Sequence, residues 1–172
     1  MLLLISLIIG SIILSFNIRN NYLFVEVDNE TRQIYINYLN KQVSNSQYKS
    51  TKQEMRALLE DELDFHDYTY KEVTISNGGY ADMRDRVINI NKDLSIEQYT
   101  TALCHEMCHL KYNNINEIYT QFMTFKTLYE SDNEELKMAG TWFGIYILDR
   151  EYEKSYDCSA LIVEYLVDNA VL

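Results

Sequence analysis

Ala102-Leu103-Cys104-His105-Glu106-Met107-Cys108-His109 is the stretch from which the rest of the chain is read. Histidines at i and i+4 lie about 40° apart on a helix, one turn above the other, so both imidazoles reach one metal ion. The helix is predicted independently of the motif. Ser95 and Gln98 form an S-x-x-Q capping box, and Ile96, Tyr99, Leu103, Met107 and Leu110 recur at helical spacing along one side. His105 and His109 fall opposite that apolar stripe, toward a cleft that the helix borders. Glu106 falls on the flank of the pair, within reach of a water at the metal without being a ligand. Two surface histidines on an amphipathic helix would share this spacing, but they ask for nothing downstream. A catalytic zinc asks for a third protein ligand, and His₂Glu is one of its standard sets.

A candidate third ligand follows in Asn116-Glu117-Ile118-Tyr119-Thr120-Gln121. Residues 111–116 read as a turn, which lets a second helix fold back on the first. On that helix Glu117, Thr120, Gln121 and Thr124 make a polar stripe, while Ile118, Phe122, Phe125 and Tyr129 face elsewhere. A solvated helix face has the same pattern, and Glu130, Glu134 and Glu135 are rival third ligands. Cys104 and Cys108 lie on another face of the motif helix and read as small packing residues, with a Cys/His metal cluster as the alternative. Cys158 opens an apolar helix, and His66 reads as a surface residue.

Working outward, residues 70–76 and 86–91 are strand candidates, the second alternating Ile88 and Ile90 with polar neighbours. Asn77-Gly78-Gly79 between them is a turn signal, followed by a charged stretch at 82–85. Ser50 and Gln53 form a capping box that opens a helix to about Asp64, whose acidic end reads as solvated. Beyond the strands come helical segments at 96–112, 116–130 and 134–168, the last broken near Asp149. Gly140 and Gly144 form a GxxxG explained by close helix packing. These elements predict an α+β fold: a small sheet of three or four strands packed by helices, with the metal between the motif helix and its successor.

The N-terminus departs from this pattern. Met1–Phe16 carries no charged side chain. As a helix it spans about 24 Å, and the polar residues up to 24 extend it to headgroup level. The division expected is a hydrophobic membrane anchor or signal segment at 1–24, a connecting segment at 25–49 and the metal-binding domain at 50–172. Within the connector, 22–27 is β-like, 29–43 has helical spacing and 44–49 is a polar linker. A single-pass anchor is the leading reading, with Arg19 favouring a cytoplasmic domain. Secretion after signal cleavage and a buried core helix are the alternatives.

Composition narrows the function classes. The net charge of −11, from 26 acidic and 15 basic residues, lacks the footprint of a nucleic-acid binder. Three cysteines are too few for a disulfide framework, and the absence of proline with only five glycines excludes fibrous and low-complexity classes.

A strand pair, an HExxH helix and a following helix with a glutamate resemble the gluzincin-type zinc metallopeptidases, and within them the ImmA/IrrE-like group. The resemblance covers about residues 70–130 and rests on HEMCH and NEIYTQ. It implies a zincin-like fold and a Zn²⁺ ion on His105, His109 and Glu117. Glu106 would be the general base, acting on a peptide or protein substrate, and the cleft would be lined by residues 86–91. Two positions depart from the family pattern: Cys108 replaces the usual small residue before the second histidine, and Gln121 replaces an acid. A membrane-associated, non-enzymatic protein with a structural or degenerate metal site is the competing expectation. Glu106 separates the two, since a structural site has no use for an acid between its histidines. Tyr80, Tyr112, Tyr146, Tyr152 and Tyr156 are unranked candidates for an oxyanion donor.

Overall fold

The computed structural model describes residues 27–43, 48–150 and 158–169. Among them are six helices and three strands: α1 (Asn29–Gln42), α2 (Lys52–Leu63), β1 (Thr69–Val73), β2 (Gly79–Asp82), β3 (Val87–Asn91), α3 (Ile96–Tyr112), α4 (Glu117–Glu130), α5 (Glu134–Asp149) and α6 (Ser159–Asp168). The class is α+β, as expected. The apolar run at 1–16, the rest of the 1–24 segment and the β-like residues 22–26 lie outside the described residues, as do 44–47 of the polar linker. Among the described residues no helix is long and apolar enough to cross a membrane.

The sheet has the order β1-β3-β2, with β1 parallel to β3 and β2 antiparallel to it. The strands expected at 70–76 and 86–91 are therefore parallel neighbours, and β2 is an additional strand. The turn at 77–79 carries β1 into β2, with the Asn77 amide donating to the Gly79 carbonyl at 3.2 Å, and a second, tight turn at 83–86 carries β2 into β3. Asp82 sets the second turn, its Oδ1 accepting the N–H groups of Arg84 at 3.0 Å and Asp85 at 3.1 Å, and Arg86 closes it at φ 51°. An Asx side chain that bonds the backbone two and three residues on is a turn former in its own right. β3 becomes the central strand, with Ile88, Asn89 and Ile90 all buried, and β2 becomes the edge beside α3.

The capping box of α2 is Thr51 with Glu54, one residue later than the Ser50–Gln53 pair read from sequence. Glu54 accepts the Thr51 N–H at 2.7 Å, while the Ser50 N–H goes instead to the Glu135 carboxylate at 3.2 Å. The α3 box of Ser95 and Gln98 forms as expected.

Two apolar clusters hold the fold. One joins α2, the sheet and α3 through Met55, Leu59, Leu63, Ile88, Ile90, Leu103 and Met107. The other joins α1, α4, α5 and α6 through Tyr35, Leu39, Phe125, Ile147, Ile162 and Leu166. Each such side chain contributes roughly 1.5–3 kcal/mol on burial. The helical spacing at 29–43 is realised as α1, which packs against α5. Gly140 brings α5 against the end of α4: a Cβ there would lie 2.5 Å from the Tyr129 backbone nitrogen. The two clusters clamp α4 between α3 and α5, and so set the position of its first residue, Glu117.

Candidate metal centre

The turn between α3 and α4 aims Glu117. Asn113 ends α3 in the left-handed conformation (φ 47°), which asparagine tolerates better than most side chains, and its N–H bonds back to the His109 carbonyl. Asn114 accepts the Asn116 N–H on its side-chain oxygen at 2.8 Å. Asn116 caps α4 by accepting the Tyr119 N–H at 3.0 Å. Each asparagine closes one part of the turn, and the first side chain of α4 is delivered back onto α3.

There it meets both histidines. His105 Nε2 lies 3.1 Å from one Glu117 oxygen, and His109 Nε2 lies 3.3 Å from the other. The two Nε2 atoms are 3.1 Å apart. One ligand atom from each residue falls within 4.8 Å of the others, so His105, His109 and Glu117 can hold a metal ion. A tetrahedral ion with ligands at ~2.0–2.1 Å spaces those ligands ~3.3 Å apart, and the observed edges match.

The neighbours of His109 fix its tautomer. Its Nδ1 lies 2.6 Å from the Asn114 carbonyl, which only accepts, so in the neutral ring Nδ1 carries the proton and Nε2 has a lone pair for a metal ion, whereas in the imidazolium Nε2 donates to Glu117 instead. Thr120 Oγ1, 3.3 Å from the same nitrogen, donates its own proton to the Asn116 carbonyl at 2.9 Å. The polar stripe of α4 is thus buried against the motif helix rather than solvated. Thr120 and Thr124 are both essentially inaccessible, and Thr124 donates to the Thr120 carbonyl at 2.8 Å.

Electrostatics follow from the geometry. Hydrogen bonds from His105 and His109 hold the Glu117 carboxyl well below the usual carboxylate range, against the opposing effect of burial. Burial pulls the His109 value down, but the bonds to Glu117 and to the Asn114 carbonyl outweigh it, and the net shift is upward. Glu106 sits outside the cluster and is buried, 7% exposed. Burial pushes its carboxyl above the ordinary value despite the two nearby histidines.

The rival ligands are placed elsewhere. Glu130 accepts from the Tyr165 hydroxyl at 2.9 Å, Glu135 accepts from Lys49 and Ser50 N–H groups, and Glu134 is exposed. His66 is exposed. Cys104, Cys108 and Cys158 are buried free thiols, and Cys108 packs against Thr124 and Thr127 of α4.

The cluster opens into a cavity of about 630 Å³. Its floor is α3 from Glu97 through Thr101 and Ala102 to His105 and Glu106; one wall is Gly78 and Gly79, and the other is α5. The strand lining it is the edge strand β2 rather than residues 86–91, because parallel pairing with β1 puts β3 in the middle of the sheet. Sequence reasoning also missed the α5 wall of Trp142 and Phe143, and it named Tyr146 only as one of five unranked oxyanion candidates. The available signal was an i, i+4 pair of large aromatics outside the core stripe of that helix. No family model, no curated protein and no solved structure matches the chain.

Proposed function

We propose that the protein is a zinc-dependent peptidase in which His105, His109 and Glu117 hold the ion and Glu106 is the general base. The observation that carries this reading is the placement of Glu106. It is a buried carboxylate of raised proton affinity, adjacent in sequence to one ligand, excluded from the ligand set and facing the cavity. A site that only stabilised the fold would gain nothing from it. Two imidazoles and one carboxylate suit zinc with a position left open. When bound, the ion supplies Lewis acidity, lowering the pKa of a coordinated water toward ~7 and polarising a carbonyl.

The protein's own residues do the rest. Glu106 takes a proton from the attacking water and returns it to the leaving amine, and its raised proton affinity brings it closer to the working pH. Of the tyrosines considered as oxyanion donors, Tyr152 and Tyr156 lie outside the described residues, and among the other three Tyr146 lines the cavity. The order of strands, motif helix and glutamate helix supports the gluzincin-type reading, and residues 1–24 are read as its membrane anchor.

The test is zinc stoichiometry by elemental analysis, combined with cleavage of an unstructured protein by the native chain and Glu106→Gln. One zinc in both, with hydrolysis only in the native chain and abolished by a chelator, is the expected result. Zinc without hydrolysis in the native chain would make this a metal-binding protein of another kind.

A further inference from the structure

The cavity is longer than the metal cluster requires, and its two ends differ in chemistry. Glu97, Thr101 and His105 are spaced i, i+4, i+8 along α3, so Glu97 and His105 are about 12 Å apart along the helix axis that forms the floor. Between them the floor carries Gln98, Thr101 and Ala102. Thr101 gives its hydroxyl to the Glu97 and Gln98 carbonyls at 3.2 and 3.1 Å, and Ala102 has only a methyl. Among the described residues that line the cavity there is no lysine or arginine, and three are glutamates: Glu97, Glu106 and Glu117.

The α5 wall is aromatic. Trp142 and Tyr146, one turn apart, are 36% and 43% exposed and line the cavity with Phe143. They belong to the few large apolar side chains left accessible among the described residues, and they border the same space as the metal cluster. Arg150 lies over one face of the Tyr146 ring at 4.2 Å, so Trp142 and the exposed remainder of Tyr146 make the accessible aromatic surface. Beside three carboxylates in a concave site, that surface calls for an apolar group with a positive charge nearby.

We propose that the cavity selects extended peptides carrying a bulky apolar side chain, which packs on Trp142 and Tyr146, and a lysine or arginine that reaches Glu97. This rests on the peptidase reading for the position of the scissile bond, which lies over the cluster. An extended chain advances ~3.3 Å per residue, so the 12 Å separation places the basic residue three or four positions from that bond. Glu97 and Trp142 are specificity-determining residues and take no part in proton transfer.

Trp142 is the sole tryptophan of the chain, so its emission reports occupation of the cavity directly. The experiment uses the full-length chain in detergent, zinc-loaded and carrying Glu106→Gln. It is titrated with a peptide holding leucine or phenylalanine and a lysine three or four residues away, and with Ser and Glu replacements at those two positions. The expected result is a blue shift and a dissociation constant about tenfold tighter for the parent peptide than for either replacement. In the same background Glu97→Lys should reverse the Lys/Glu preference with zinc content unchanged. In the chain with native Glu106, Trp142→Ala should raise KM for the parent peptide more than it lowers kcat. Emission that moves with no peptide, or affinities blind to both replacements, overturns the proposal. Selective binding by a native chain that cleaves nothing leaves the cavity assignment standing and removes the peptidase reading. Cleavage without discrimination does the reverse.

Discussion

The Nδ1 of His109 lies 2.6 Å from the Asn114 carbonyl, and this contact decides which face of the imidazole meets Glu117. The carbonyl belongs to the turn that also delivers Glu117, so ring orientation and the candidate third ligand are set by the same short turn, residues 113–116. Thr120 backs the contact from α4 at 3.3 Å.

Thr120→Val keeps the volume and removes the hydroxyl beside that nitrogen. Outer-shell partners of ligating histidines typically affect metal affinity by 10–100-fold, and a shared role with a carbonyl points to the low end. The expected outcome is about tenfold weaker zinc binding in a chelator competition titration, recovered by Thr120→Ser. Equal affinity in the valine variant would mean that the Asn114 carbonyl alone holds the ring.

Glu117→Gln should lower zinc affinity by more than about 100-fold, since it removes a charged ligand rather than its support. Glu130→Gln and Glu135→Gln should retain stoichiometric zinc, because those carboxylates bond Tyr165 and the Lys49–Ser50 backbone. Elemental analysis of the three proteins decides the matter, and zinc retained by Glu117→Gln would exclude it as the third ligand.

The metal-free and metal-bound proteins should respond to pH in opposite senses. The His109 value is raised in the fold, so its stabilising contribution is complete below its ordinary 6.5 and is lost as pH rises through the higher folded value. Glu117 is depressed, so its contribution is present above its ordinary 4.5 and is lost only as pH falls toward the folded value. The pair therefore supports the metal-free protein best between those ordinary values. Zinc needs His109 deprotonated, so its affinity grows as pH rises through the same transition. Thermal unfolding at about pH 5.5 and pH 8, with chelator and with zinc, should show a zinc increment larger at the higher pH. An increment independent of pH would mean that no imidazole proton is displaced.

The parts of this site that are local in sequence were legible, and the parts that depend on strand pairing were not. Ser95, Gln98 and the period of Leu103, Met107 and Leu110 specify α3 within one segment, and the HExxH spacing then places the imidazoles without knowledge of the fold. Glu117 was legible because the turn before it is short. The identity of the cavity wall depended on β1 pairing parallel with β3 across an intervening strand, which nothing local in 69–91 encodes. The glycine turn at 77–79 and the Asx turn at Asp82 flank one four-residue strand, too short to be read as a strand without its pairing to β3. The burial of Thr120 and Thr124 was illegible for a related reason: a polar stripe looks the same whether water or a second helix covers it. Here their hydroxyls bond their own helix, which removes the cost of burying them.

Gly140 tests whether helix packing at the far end of α4 is as tight as the structure has it. Alanine gains about 1 kcal/mol of helix propensity over glycine, so an uncrowded site would be stabilised by the change. The new Cβ would instead lie 2.5 Å from the Tyr129 nitrogen and 2.7 Å from the Leu128 carbonyl carbon. Backbone atoms cannot rotate aside, so α5 must move as a body, and overpacking of this kind costs about 1–3 kcal/mol or more. The clash should win, with a net loss of about 2 kcal/mol in denaturant unfolding. Gly144→Ala is the comparison: its neighbours are the Phe125 ring and the end of Leu39, side chains that can shift, so its loss should be smaller. Because Glu117 lies at the opposite end of α4, about 20 Å away, zinc affinity of folded Gly140→Ala should stay close to native. Trp142, two residues from the displaced glycine, should show changed emission. A Gly140→Ala protein as stable as native would mean that α4 and α5 are further apart than the clamp on Glu117 requires.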